Sequence, residues 1–170
     1  MKLHTALAFL LLAFPLFSLA QNIALSFDDG FDPTTQQKAA EWNAAMLDGL
    51  SRSGVKAIFY ASGSRVGSPE GLSLVSNWGE SGHDVGNHTY SHFSLGANSL
   101  ENFIQDVEKN EELLKNTAGW VYRFRFPYLK EGRTVETRDG FRRWLTEHNY
   151  ESGAVSIDTS DWYYSDRYLA

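Results

Sequence analysis

The chain has 170 residues, 15 Lys and Arg against 21 Asp and Glu, a formal net charge of −6 and no cysteine. An acidic chain with scattered cations argues against a nucleic-acid partner, because phosphate binding needs a basic surface. The absent cysteines exclude a disulfide framework and a lipidated cysteine anchor.

Lys2, the apolar run Ala6 to Phe17 and the small-x-small Ser18-Leu19-Ala20 read as an export signal over residues 1–20. The run is shorter than the about 20 residues that span a bilayer, and Pro15 interrupts it. Release into a periplasm or the medium is therefore expected, with no stable membrane span. Cleavage leaves 14 basic against 21 acidic residues, a net charge of −7. Residues 21–170 make one domain, shorter than the roughly 200–250 residues of a complete β/α barrel.

Ile23 to Phe27 is an apolar run ahead of Asp28-Asp29-Gly30, as expected of a strand buried on both faces. After Pro33, the residues Ala39, Trp42, Met46, Leu47 and Leu50 recur at helical spacing, and Gly54 marks the stop. Lys56 to Ala61 reads as a second strand. Ser68 and Pro69 open a helix carrying Leu72, Val75 and Trp78, which Gly82 ends. Asp84 to Asn87 is a short third strand. A helix from Asn98 or Ser99 aligns Leu100, Phe103, Ile104, Val107 and Leu114. Val121 to Phe126 is a fourth strand, a helix with Phe141, Trp144, Leu145 and His148 on one face follows, and Ala154 to Ile157 is a fifth strand. Trp42, Trp78, Trp120 and Trp144 are taken as packing residues. Alternating strands and helices predict an α/β fold with a parallel sheet.

The reactive side chains follow the strands: Asp28 and Asp29 the first, His88 the third, Arg125 the fourth, Asp158 and Asp161 the fifth. Loops at the carboxyl ends of parallel strands converge, so these residues can meet. His88 and His92 are four apart; on a helical turn both imidazoles leave one face, with Cβ atoms roughly 5 to 6 Å apart. That spacing suits one metal ion, with Asp28-Asp29 as the source of a third ligand.

Four motifs stand in order: Ser26-Phe27-Asp28-Asp29-Gly30, His88-Thr89-Tyr90-Ser91-His92, Arg125-Phe126-Pro127-Tyr128 and Asp158-Thr159-Ser160-Asp161-Trp162. Together they resemble the polysaccharide deacetylase family, the NodB-type carbohydrate esterases of family 4. The resemblance implies a distorted (β/α) barrel and metal-dependent removal of N- or O-acetyl groups from a carbohydrate such as chitin, peptidoglycan or xylan. By position, Asp29, His88 and His92 match the metal ligands and Asp28 the general base. Arg125 matches the residue that holds the base, and Tyr128 the backbone oxyanion donor. Zinc is the first expectation for the metal, with cobalt, manganese or nickel as alternatives. Trp162, with Tyr128 and Pro127, is assigned to the sugar groove.

Two departures from the family pattern stand out. Leu129-Lys130-Glu131 intervene before Gly132, where the family commonly has glycine directly after the tyrosine. The family's last motif, a Leu-x-His that supplies the general acid whose pKa Asp161 would help set, has no counterpart in this sequence. The chain is therefore expected to lack the final strands of the barrel. A hydrolase of small amides on the same framework, and a catalytically impaired sugar-binding remnant, are the alternative readings.

Overall fold

The computed structural model describes residues 23–168; the signal-like segment lies outside the described residues. Five strands form one parallel sheet: β1 (Leu25–Asp29), β2 (Ala57–Ala61), β3 (Asp84–Asn87), β4 (Trp120–Phe124) and β5 (Glu151–Ser152). Between and after them lie the helices α1 (Ala39–Ser53), α2 (Gly63–Val66), α3 (Pro69–Glu80), α4 (Leu100–Leu114), α5 (Val135–Glu147) and α6 (Asp161–Tyr168). The strand order is β1-β2-β3-β4-β5, so each strand is laid beside the one before it. With right-handed crossovers, a sheet that always grows in one direction collects its connecting helices on one face. This is the winding of a β/α barrel wall, not of a doubly wound sheet.

The helix boundaries follow from local chemistry. Ser68 Oγ accepts the Gly71 N–H at 3.0 Å and Pro69 occupies the first turn of α3. Ser99 and Thr134 cap α4 and α5 in the same way, at 3.2 Å each. Gly54 closes α1 at φ 63°, a torsion that a side chain would oppose.

Two apolar clusters pack beside the sheet. One gathers Leu50, Phe59, Val75, Trp78, Val85 and Leu114. The other is aromatic, built from Phe103, Phe124, Phe126, Phe141, Trp144 and Tyr150. Trp120 packs against both. All five residues of β2 are buried, as befits an interior parallel strand.

Three expectations are corrected. β1 is not buried on both faces: it lies at one edge of the sheet among the described residues, and Leu25, Phe27 and their neighbours are exposed or half-exposed. The fifth strand is Glu151–Ser152 rather than residues 154–157. Tyr150 fills the aromatic cluster and Gly153 N–H bonds Phe124 O at 2.7 Å, so β5 is consumed pairing with the end of β4. The residues after Gly153 run past the last residue of β4 and pair with no strand among the described residues. Trp42 is 41% exposed and stands 5.6 Å from the Phe31 ring, so it is a surface aromatic and not core.

Gly79 tests the packing of α3. Replacing an exposed helical glycine with alanine ordinarily stabilises by about 1 kcal/mol. Here a Cβ would fall inside the carbonyl group of Ala118. Gly79→Ala is therefore expected to destabilise by about 1–3 kcal/mol, the cost of an overpacked contact, read as a lower midpoint in urea unfolding.

Candidate metal and acid–base centre

The first site element is the loop after β3. Its expected helical turn does not form: Thr89 and His92 both adopt left-handed torsions, φ 62° and 54°. Each such torsion costs a non-glycine residue roughly 1–2 kcal/mol. Local bonds offset that cost. Asn87 Oδ1 accepts the Thr89 N–H at 2.9 Å, and Thr89 Oγ1 accepts the His92 N–H at 3.0 Å. The two imidazoles still converge, with ring centres 4.9 Å apart.

Asp29, the last residue of β1, completes the group. Its Oδ1 lies 3.5 Å from His88 Nε2 and 2.9 Å from His92 Nε2. Ligands about 2.0–2.2 Å from a tetrahedral zinc stand about 3.3–3.5 Å apart; the two Asp29 separations bracket that range, and all three donor atoms lie within 4.8 Å of one another, so one ion could be shared among them. His88 Nδ1 faces Arg125 O at 2.8 Å. Only a ring N–H can bond a carbonyl, so Nε2 carries the lone pair, the orientation found for metal-binding histidines. Burial pushes His88 below its ordinary pKa range and keeps it neutral. For Asp29, burial pulls upward, but the adjacent imidazole of His92, with smaller contributions from His88 and Arg65, outweighs it and holds the carboxyl below its usual range. The contact of Asp29 Oδ1 with His92 is close, yet its direction satisfies no hydrogen bond and the atom is buried. Acceptor atoms aimed at one point repel until a proton or a cation lies among them, so the donor set fits a divalent ion.

Asp28 stands beside this group, its Oδ2 3.9 Å from His88 Nε2. It is gripped from the other side by Arg125, whose Nη1 donates to Asp28 Oδ1 and Oδ2 at 3.1 and 3.2 Å. Arg125 Nη2 donates to Ser26 Oγ at 3.0 Å and Nε donates to Gly153 O. The guanidinium lies 4.4 Å above the Tyr60 ring centre. Room for that ring comes from Gly86 and Gly153, where an added Cβ would collide with the Tyr60 side chain. Ser26, Tyr60 and Gly153 were not anticipated. Ser26 was legible, since it is two residues from Asp28 on one strand and so shares its face.

Pro127 is buried and opens the turn Pro127–Leu129, where Tyr128 takes φ 58°. Tyr128 is 60% exposed and its ring centre is 4.7 Å from that of His92, so it borders the site. Asp161 and Trp162 begin α6 and are exposed. Asp161 forms no side-chain hydrogen bond or ion pair among the described residues, and Trp162 packs only against Tyr163 among the aromatic pairs. The structure thus brings together Asp28, Asp29, His88, His92, Arg125 and Tyr128, and leaves Asp161 and Trp162 outside those contacts. Asp158 Oδ1 accepts its own loop's Ser160 N–H at 2.8 Å.

The Asp-His-His group and the clamped carboxylate stand at the carboxyl ends of a parallel sheet, which places the chain in the α/β class with its reactive side chains gathered at the strand ends. The polysaccharide deacetylase family model matches residues 19–143. The chain belongs to the polysaccharide deacetylase family. It is 34% identical over 142 residues to a peptidoglycan-N-acetylglucosamine deacetylase of Bacillus cereus, covering 83% of this chain and 46% of that protein. A chitin deacetylase from Pestalotiopsis sp is 28% identical over 152 residues, covering 88% and 46%. The crystal structure of a peptidoglycan N-acetylglucosamine deacetylase in complex with 4-naphthalen-1-yl-N-oxidanyl-benzamide superposes with a TM-score of 0.67 at 31% identity, covering 82% of this chain and 58% of the other. A family 4 acetyl xylan esterase from Clostridium thermocellum, solved with a cobalt ion, gives 0.54 at 28% identity over 68% and 53% of the two chains. The chain spans about half the length of these curated relatives. Among the described residues, no helix is long and apolar enough to cross a membrane.

The Arg125–Asp28 clamp has a measurable signature. Arg125→Ala and Asp28→Asn, singly and together, are expected to show a coupling energy of about 1–2 kcal/mol in a double-mutant cycle of unfolding free energies. A pair in contact but energetically idle would give additive losses.

Proposed function

We propose that this chain carries a metal-dependent deacetylase site for an acetylated carbohydrate, hydrolysing N- or O-acetyl groups on a chitin-, peptidoglycan- or xylan-type glycan. The observation that supports this most is the meeting of Asp29 Oδ1, His88 Nε2 and His92 Nε2 beside an Arg125-held carboxylate. Residues 21–170 as one such domain behind an export signal at 1–20, in a protein sent to the periplasm or beyond, belong to the same proposal. Relatives named as peptidoglycan deacetylases favour it, since that polymer lies outside the cytoplasm.

Asp29, His88 and His92 would hold one divalent cation, zinc first and cobalt, manganese or nickel also compatible with the donor set. Such an ion supplies Lewis acidity and lowers the pKa of water. Asp28 accepts the proton of the attacking water. Its neighbour Asp29 is committed to the cation, which divides the labour between two adjacent carboxylates. Arg125 keeps the Asp28 carboxylate aimed by charge-assisted bonds. The Tyr128 N–H, in the turn that borders His92, donates to the oxygen that gains negative charge as the acetyl carbonyl is attacked. The Tyr128 ring and Pro127 border the sugar, with Trp162 as a further aromatic contact.

Acetate release from chitooligosaccharides and acetylated xylan tests the reading. A chelator is expected to abolish release and zinc or cobalt to restore it. Asp28→Asn is expected to keep the metal and lose about 10²–10⁴-fold in rate, the range for removal of a positioned base. Release that persists through both treatments would overturn the assignment.

A further inference from the structure

Behind the ligand loop, one face of α4 does the holding. Asp106, Lys109 and Asn110 stand at i, i+3 and i+4 and so point the same way. Each meets a different part of the loop. Asp106 Oδ2 accepts the Ser91 N–H and Oδ1 accepts the Ser91 Oγ–H, both at 2.8 Å, while the Asp106 carbonyl accepts the Tyr90 N–H at 3.2 Å. Lys109 Nζ lies 3.4 Å from the centre of the Tyr90 ring. Asn110 Nδ2 donates to Asn87 Oδ1 and to Ala61 O, each at 2.9 Å.

Asp106 is the unusual member. It is 7% exposed and pairs with no cation among the described residues. A buried carboxylate without a countercharge is costly to retain for stability alone. Among the described residues its side-chain bonds go only to Ser91, the residue immediately before His92. Fixing the Ser91 N–H and hydroxyl fixes the chain just ahead of His92, whose left-handed torsion aims the second imidazole. His88 has separate supports, its ring on Arg125 O and its N–H on Ala61 O at 3.2 Å.

We infer that Asp106 is a positioning residue for the metal site, acting through Ser91 to hold His92 in its ligand geometry. The inference rests on the proposed metal site. Loss of Asp106 frees the loop so that His92 can leave its left-handed torsion, and a three-residue ligand set falls to Asp29 and His88.

The test is a cobalt(II) titration of the full chain, followed by calorimetry and by the visible absorption of the bound ion. Asp106→Ala is expected to weaken cobalt binding about tenfold or more, in the range seen when groups supporting metal ligands are removed, and to change the absorption band. Ser91→Ala, which keeps the N–H bond and loses the hydroxyl, is expected to shift affinity the same way by less, and Ser91→Thr to restore it. Leu114→Ala, in the core at the far end of α4, is expected to lower Tm while keeping the parent's affinity and spectrum. Parent-like binding by Asp106→Ala, or losses that follow Tm equally at Asp106 and Leu114, would overturn the inference and leave the metal site standing. A parent chain that binds no cobalt would overturn both.

Discussion

Arg125 is the contact on which the geometry of this molecule turns. β1 and β4 are separated by two strands, about 14 Å in a flat sheet at the usual spacing. That exceeds the reach of one arginine side chain, yet Arg125, just past β4, bonds Ser26 and Asp28 of β1. It also bonds the carbonyl of Gly153, just past β5. The sheet must therefore curl until its two outer strands face a common centre, which is how a wall of five strands acquires barrel-like curvature. The guanidinium loses much of its hydration there. Two carboxylate bonds, a hydroxyl, a carbonyl and an aromatic face replace it.

The site has two parts with different supports. The proton-accepting part, Asp28 with Arg125 and Ser26, depends on the curvature of the sheet. The ligand part depends on β3, whose Asn87 holds Thr89, on the Arg125 main chain through His88, and on α4 through Asn87 and Ser91. Asn87 and Asn110 are fully buried, and Tyr150 adds a hydroxyl that accepts from Asn87 and donates to Glu111 at 2.8 Å. Asn110 Oδ1 is the network's one atom without a partner among the described residues; the bonds that are made favour one arrangement, because each is costly to break once buried.

Much of this could be read from residue patterns. The helices over 39–53, 69–80 and 100–114 were legible from apolar spacing and from Ser68, Ser99 and Gly54, because caps and stops are local chemistry. β3 was legible to the residue. The partners Asp29, His88 and His92 were legible as types at strand ends. Other features depend on long-range contacts. Whether Ile23 to Phe27 is interior or edge depends on neighbours far along the chain, and β5 is set by Tyr150 docking into the aromatic cluster. The left-handed path from Thr89 to His92 had no glycine to announce it; it is held by side chains from α4 that resemble ordinary helix polar residues until their burial is known. Asp106 and Asn110 did carry a faint mark, since they interrupt an apolar stripe between Phe103 and Leu114.

The two glycines around Tyr60 have one more implication. Neither Gly86 nor Gly153 adopts a positive φ, so their role is clearance and not torsional freedom. A methyl group at either position would tilt the phenol out of its plane and lift the cation resting on it, moving the carboxylate that the cation aims. Substitution tolerance there reports on the alignment of the base, although both residues lie outside the set of groups that would touch substrate.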